Sequence, residues 1–286
     1  MGMQNRVTYV GYRLGQWLAS TLPTASAFRL AERLADVQWR RSATDREAVH
    51  DNLSVLLDAP PPADAPIVRE VFRNFGRYLV EFLTMHRVHQ PEVSLEGYEH
   101  LTKTLHQRRG TIALTGHIGN WELAGVVLRR TGIPLTAIAL PHQDPRTDRL
   151  FNRQRRRCGI NVIPLGTDAT RRALQDLRKG HLLGLVGDRE FSTHGLVTTL
   201  CQRQVVLPRG PALLSLRGQA PAVPVFLIRE GMWRFRLYVE PPIWPPARGL
   251  NEGSVQMLTR AYAAVFERYL RRFPDQWLMF QPMGVM

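Results

Sequence analysis

The amino-acid sequence predicts an α/β protein, with a central mixed or mostly parallel sheet flanked by helices and preceded by a helical region. Three features point there. From about Val93 onward, short apolar runs alternate with helical stretches, the order that covers both faces of a sheet with helices. Upstream, Ile67, Val71, Phe75, Tyr78, Leu79, Phe82 and Leu83 recur on one helical face. Finally, 286 residues with 44% apolar content are enough for a substantial core. The expected division is a helical region at 1–95, packed on the core and close to a membrane, followed by an α/β core at 96–286.

Each element has a local reason. Val7 to Trp39 reads as helices with aromatic and aliphatic faces (Tyr9, Tyr12, Trp17, Leu18, Phe28, Leu30, Leu34, Trp39) and interspersed arginines. Such a segment can lie in a membrane interface or pack on the rest of the protein, and the residues leave both open. Its most apolar part, Leu14 to Phe28, is interrupted by Gln16, Ser20, Pro23 and Ser26. It is too short for a membrane span and lacks the cleavage site of a signal peptide. The helix ending at Leu57 meets Ala59-Pro-Pro-Pro62 and Asp64-Ala-Pro66, a proline cluster that stops it. Strands are expected at Thr111–Thr115, Leu135–Leu140, Asn161–Pro164, His181–Val186, Ala222–Ile228 and Phe235–Val239. Helices fall between them at Trp121–Arg130, Arg146–Cys158, Thr167–Arg178 and Pro211–Arg217, with a last one at Ser254–Phe273. Pro241-Pro-Ile-Trp-Pro-Pro246 reads as a short rigid loop.

Charge narrows the partners. There are 38 basic residues against 24 acidic ones, a formal +14, and only Lys103 and Lys179 are lysines. Arginine forks onto phosphate and carboxylate and keeps its charge when partly desolvated. Such a surface suits nucleic acid, an anionic membrane or an acidic carrier protein, although a general arginine bias accounts for part of the excess. No zinc finger, RNA-recognition aromatic block or helix-turn-helix signature accompanies it, so nucleic acid is not the expected partner. Cys158 and Cys201 have no metal-ligand spacing and no nearby histidine, which makes them packed or exposed thiols in a reducing compartment. His86 with His89, and His142 with Asp144, are pairs without a third ligand, so no metal is expected.

The stretch TIALTGHIGNWELAG, Thr111 to Gly125, is where chemistry concentrates. His117 follows a strand end, the edge at which open α/β sheets bind ligands. Gly116 and Gly119 let the backbone turn and a substrate approach. Asn120 is a suitable N-cap, so a helix should begin at Trp121. Glu122 then falls in the first turn, where the helix dipole favours a carboxylate and from which it could reach back to the imidazole. A His–carboxylate pair takes a proton from a hydroxyl. No serine or cysteine stands in a G-x-S-x-G elbow, so the hydroxyl should come from a substrate, as in direct acyl transfer from an activated donor. On spacing alone, a single histidine beside a strand end is more often a polar surface or core residue than a catalyst.

TGHIGNWELAG closely resembles the first block of the lipid A biosynthesis acyltransferase family and the related phosphatidylinositol mannoside acyltransferases, within the wider glycerolipid acyltransferases that carry H-x-x-x-x-D/E. The resemblance extends over most of the chain. It includes Asn52-Leu53 with VFRNFGRYLVEF, Arg155-Arg-Arg-Cys-Gly159, LRKGHLLGLVGDRE, PRGPALLSLRGQAPAVPVF and the closing RRFPDQWLMF. It implies a membrane-associated O-acyltransferase at the cytoplasmic face of the inner membrane. An acyl carrier protein or coenzyme A thioester would be the donor, with no bound cofactor. The acceptor would be the hydroxyl of an anionic lipid, of lipid A precursor type, with a phosphatidylinositol mannoside or another glycerolipid as the alternative. His117 would be the general base with Glu122 its partner. Arg155 would contact a phosphate or developing charge, and Asp188 would position the acceptor or an active-site arginine. Arg189 and Arg209 are further candidates for anion contacts, and Asn120 for substrate. Three departures bear on the acceptor: Thr199-Leu200-Cys201 replaces a frequent Phe-Phe-Gly, Arg189 replaces a frequent Gln, and LLDAPPP follows the Asn-Leu block.

Overall fold

The computed structural model describes residues 2–57, 59–62, 64–87, 91–106, 110–191, 194–247 and 249–283. Four helices come first: α1 (Gly2–Thr21), α2 (Thr24–Arg41), α3 (Ala43–Leu56) and α4 (Pro66–Thr84). The α/β part follows as β1 (Glu92–Glu96), α5 (Tyr98–His106), β2 (Thr111–Thr115), α6 (Trp121–Leu128), β3 (Leu135–Ala139), α7 (Pro145–Arg157), β4 (Ile160–Pro164), α8 (Ala169–Arg178) and β5 (Leu182–Val186). It closes with β6 (Leu196–Leu200), β7 (Arg203–Leu207), α9 (Gly210–Gly218), β8 (Ala222–Gly231), β9 (Arg234–Val239) and α10 (Glu252–Arg272). None of the described helices is long and apolar enough to cross a membrane.

Seven strands form one sheet in the order β1-β9-β8-β2-β5-β3-β4. β8, β2, β5, β3 and β4 run parallel, while β9 is antiparallel to β8 and carries β1 alongside it. The expected α/β architecture is therefore present, with β2 at its centre. Alternation along β2 shows why both faces are covered. Ile112 and Leu114 join a core with Ala173 and Leu177 of α8 and Tyr262 and Phe266 of α10. Ala113 points the other way, to Val71, Phe72 and Phe82 of α4 and Leu123 of α6. Strands buried on both sides need near-continuous apolar runs, and Ile112–Leu114 and Leu182–Leu183 are such runs.

Local signals set most boundaries. Pro66 opens α4, where its missing N–H costs nothing. Asn251 caps α10, its Oδ1 accepting from Ser254 N at 2.8 Å. α2 is clamped to α4 by Asp36, whose carboxylate receives both Arg69 and Arg73, and by Glu32, which receives Arg77. Two strand assignments differ from expectation. Glu92–Glu96, placed in the helical region, is an edge strand whose partner is β9. The antiparallel hairpin β6–β7 was not anticipated: Cys201 (φ 49°) and Gln202 (φ 63°) make its two-residue turn, taking left-handed conformations usually given to Asn or Gly.

Candidate active site

The parallel register of β2 and β5 assembles the site. Thr115 pairs with Val186, so His117 and Asp188, each two residues beyond, emerge side by side from the carboxyl end of the sheet. His117 Nδ1 lies 2.8 Å from Asp188 Oδ1, and the His117 backbone N–H donates to Asp188 Oδ2 at 2.7 Å. Trp277 Nε1–H donates to the same Oδ2 at 3.1 Å. Asp188 is 2% exposed. Burial alone would raise its pKa, but the attraction and hydrogen bonds of His117, with that of Trp277, outweigh burial and hold it below the usual carboxylate value. It is therefore an ionised acceptor, which fixes the proton of a neutral imidazole on Nδ1 and leaves the lone pair on Nε2. The imidazole side chain is 19% exposed, and Nε2 has no partner among the described residues.

Two glycines make that approach possible. A Cβ on Gly116 would stand 3.0 Å from Asp188 Oδ2. Gly119 has φ +62°, and a Cβ there would fall 2.1 Å from Leu227 O, so only glycine fits this turn. The turn is tied down on both sides, Gly119 N–H donating to Gln276 O and Leu278 N–H to His117 O.

The expected contact between Glu122 and His117 does not form. Glu122 lies in the first turn of α6, as anticipated, but faces α7. Arg155 grips it there, Nε at 3.0 Å from Oε2 and Nη2 at 2.5 Å from Oε1. The pair is nearly buried, with side chains 11% and 9% exposed. Burial opposes the charge of Arg155, yet Glu122 raises its pKa well above the ordinary arginine value. Arg155 Nη1 donates to Asn152. Glu122 and Arg155 are thus committed to each other, and Asp188 takes the place expected of Glu122.

The remaining candidates scatter. Asn120 caps α6 as predicted, its Oδ1 accepting from Leu123 N at 2.9 Å. Its Nδ2 donates to Glu81 at 2.7 Å and the residue is fully buried, so it has no polar group to offer a substrate. Glu81 in turn receives Arg229 through two further hydrogen bonds. Arg189 adjoins Asp188 but turns to Gln281 and to the ring of Phe191. Arg209 pairs with Glu252 at the start of α10. Burial pushes both Cys158 and Cys201 up to about 11, which keeps them protonated and poor nucleophiles. His89 lies outside the described residues, while His86 is beside Arg157 and His142 packs on Phe151.

Residues not singled out one by one complete the site. The Trp121 ring contacts the edge of His117, with centroids 4.9 Å apart, and stacks on Tyr78 at 4.4 Å. Tyr78 stacks on Phe75, which meets Phe280. Phe75 and Phe280 also line a cavity of about 530 Å³ between α1, α2 and α4, whose wall includes Gly15, Leu18, Leu30, Leu34 and Leu83. An aromatic wall thus runs from the imidazole to this apolar compartment. The helical spacing of Phe75, Tyr78 and Phe82 was legible as a buried face, but its place beside His117 was not.

Comparison with known proteins bears directly on this arrangement. Residues 4–283 match the profile of the bacterial lipid A biosynthesis acyltransferases. The chain is similar to a phosphatidylinositol mannoside acyltransferase of Mycolicibacterium smegmatis, 27% identical over 291 residues that cover 98% of this chain and 92% of that protein. A Mycobacterium tuberculosis protein of the same description is 26% identical over 247 residues, covering 82% and 76%. The lipid A biosynthesis acyltransferase of Haemophilus influenzae is 23% identical over 186 residues, covering 64% and 56%. With nearly the whole chain matched, the protein belongs to the bacterial lipid A biosynthesis acyltransferase family and is an acyltransferase.

Proposed function

We propose that this protein transfers a fatty acyl chain from a thioester to a hydroxyl of an anionic glycolipid, with His117 as general base and Asp188 as its partner. The observation that carries this reading is the buried Asp188 on Nδ1 of an imidazole whose Nε2 has no partner among the described residues. In the reaction, Nε2 takes the proton of the acceptor hydroxyl as its oxygen attacks the thioester carbonyl carbon. Asp188 stabilises the imidazolium that forms. The tetrahedral intermediate then collapses, the C–S bond breaks, and the leaving thiolate receives the proton from Nε2. No serine or cysteine is hydrogen-bonded to His117 among the described residues, which favours direct transfer over an acyl-enzyme.

The cavity between α1, α2 and α4 suits the acyl chain: it is apolar, and the rings of Phe75, Tyr78 and Trp121 lead from it to His117. The donor is an acyl carrier protein or coenzyme A thioester, either of which would be drawn to a chain of net charge +14. The reaction takes place at a membrane surface, where a lipid acceptor resides. A lipid A precursor is one acceptor; a phosphatidylinositol mannoside is a second, supported by the fuller coverage of relatives so described. The test is transfer of labelled acyl groups from both donor types to both acceptors, with His117→Ala in parallel. Labelled glycolipid from the wild type, reduced about 10²–10⁴-fold in the variant, supports the assignment. Equal labelling by the two proteins removes His117 from the chemistry.

A further inference from the structure

We infer that Trp277 is a positioning residue for the proton-transfer pair, delivered to Asp188 by a C-terminal strap, residues 274–283, that α3, α4 and β8 hold against the His117 turn. This rests on the acyl-transfer reading for its purpose. Trp277 is 2% exposed. Its Nε1–H is the one side-chain donor besides His117 on the Asp188 carboxylate among the described residues. An indole N–H can only donate. It stabilises the charge on Oδ2 and offers no lone pair that could draw the Nδ1 proton away from Oδ1. With Oδ2 held by Trp277 and by the His117 backbone N–H, the carboxylate plane is fixed and Oδ1 is left to the imidazole. The buried ring also keeps water from the carboxylate, so its pull on the imidazolium is not screened.

The strap has its own supports. Ile118 and Trp277 form an antiparallel bridge, made by Gly119 N–H to Gln276 O at 2.9 Å and Leu278 N–H to His117 O at 2.7 Å. Upstream, the Gln276 side chain closes on both backbone groups of Arg229 in β8. Asn74 Nδ2 of α4 donates to Asp275 O beside it. Downstream, Asn52 Nδ2 of α3 donates to Met279 O and Gln281 O, and its Oδ1 accepts from Met283 N–H. Asn52 is 2% exposed. These bonds give a role to Asn52 and to the closing RRFPDQWLMF, which the proton transfer itself does not call upon. Every clamp except that of Trp277 closes on backbone, so the path of the strap does not depend on the indole. Trp277 can therefore be changed without releasing the strap.

The test is turnover of labelled acyl thioester by the full chain, on coenzyme A and on acyl carrier protein, with both glycolipid acceptors. Trp277→Phe keeps a buried ring and removes the donor. It should lower kcat about tenfold and leave KM within about twofold. In an Asp188→Asn background the same change should cost less than about twofold, because the charge that the indole serves is gone. Equal losses in the two backgrounds would reduce Trp277 to packing and overturn the assignment. So would a Trp277→Phe protein with wild-type kcat beside an inactive His117→Ala. Turnover by His117→Ala equal to wild type would instead remove the acyl-transfer mechanism. A second measurement does not depend on the folding of Trp277→Phe. In protein carrying isotope-labelled tryptophan, the Trp277 Nε1–H resonance should move upfield in Asp188→Asn, as a charge-assisted hydrogen bond becomes a neutral one. An unmoved resonance overturns the inference.

Discussion

Asp188→Asn separates the two carboxylates near His117 because it changes a tautomer more than a structure. Asp188 accepts three hydrogen bonds: His117 N–H and Trp277 Nε1–H on Oδ2, and His117 Nδ1 on Oδ1. An asparagine can keep the first two by placing its carbonyl oxygen at the Oδ2 position. Its NH₂ then faces Nδ1, which must become the acceptor, so the ring proton moves to Nε2. The nitrogen that should take the acceptor's proton is then already protonated. The imidazolium would also lose its countercharge. Loss of general-base function of this kind costs about 10²–10⁴ in kcat, or about 3–5 kcal/mol of transition-state stabilisation. Because two of three bonds survive, the fold should be kept, with the unfolding midpoint falling by a few degrees. KM for acceptor and donor should be close to wild type, since Asp188 is buried behind the ring. Turnover of labelled acyl thioester, followed with circular dichroism melting, measures both effects. A variant that folds and turns over within threefold of wild type would refute the His117–Asp188 assignment.

Other consequences are open to measurement. Glu122→Gln should destabilise by about 3–5 kcal/mol in urea unfolding, because it strands the buried Arg155 charge; Glu122→Leu with Arg155→Leu should lose less than the sum of the two single changes. Gly15→Leu places a side chain in the cavity, where its Cβ would meet, among the described residues, only Leu83 Cδ1, at 3.8 Å. It should improve helix propensity by up to about 1 kcal/mol while shifting kcat/KM towards shorter acyl thioesters by at least about tenfold. Asp275, which burial raises above the usual carboxylate pKa, binds its proton more tightly folded than unfolded. Stability should therefore fall as pH rises from the unfolded value of about 3.9 through the folded one. Asp275→Asn should melt like wild type in acid and above it at neutral pH.

What the sequence made legible was local, and what it hid was register. A five-residue apolar run, a glycine and an Asn cap suffice to place His117 after β2 and Trp121 at the head of α6. Nothing in the order of elements says that β5 lies beside β2, with Thr115 opposite Val186. Without that pairing, the nearest carboxylate in sequence, Glu122, was the natural partner for the imidazole, and Asp188 could be placed only at a strand end. The hairpin β6–β7 was hidden for another reason. Its strands alternate, with Leu196, Thr198 and Leu200 buried, but Cys201-Gln202 carries no glycine or asparagine to mark a turn. The edge strand β1 is mostly exposed, so it has no apolar run to announce it.

The H-x-x-x-x-E spacing still has a physical use once Glu122 is removed from the imidazole. Trp121 forms one wall of the site, its ring between His117 and Tyr78, and its position is that of the first turn of α6. Three anchors fix this turn. Asn120 caps it and is held by Glu81 of α4. Asn120 N–H donates to Leu227 O of β8. Glu122 locks it to Arg155 of α7. Each anchor joins a different element, so the turn cannot shift without breaking a buried ion pair or leaving a buried polar group unsatisfied, each costly. Under the proposed mechanism, proton transfer and the rigidity of the wall beside it fall to separate carboxylates, Asp188 for the first and Glu122 for the second. On this account, loss of Glu122 should act through folding and through the fit of substrates against Trp121. Loss of Asp188 should act on the proton-transfer step, with the apolar wall intact.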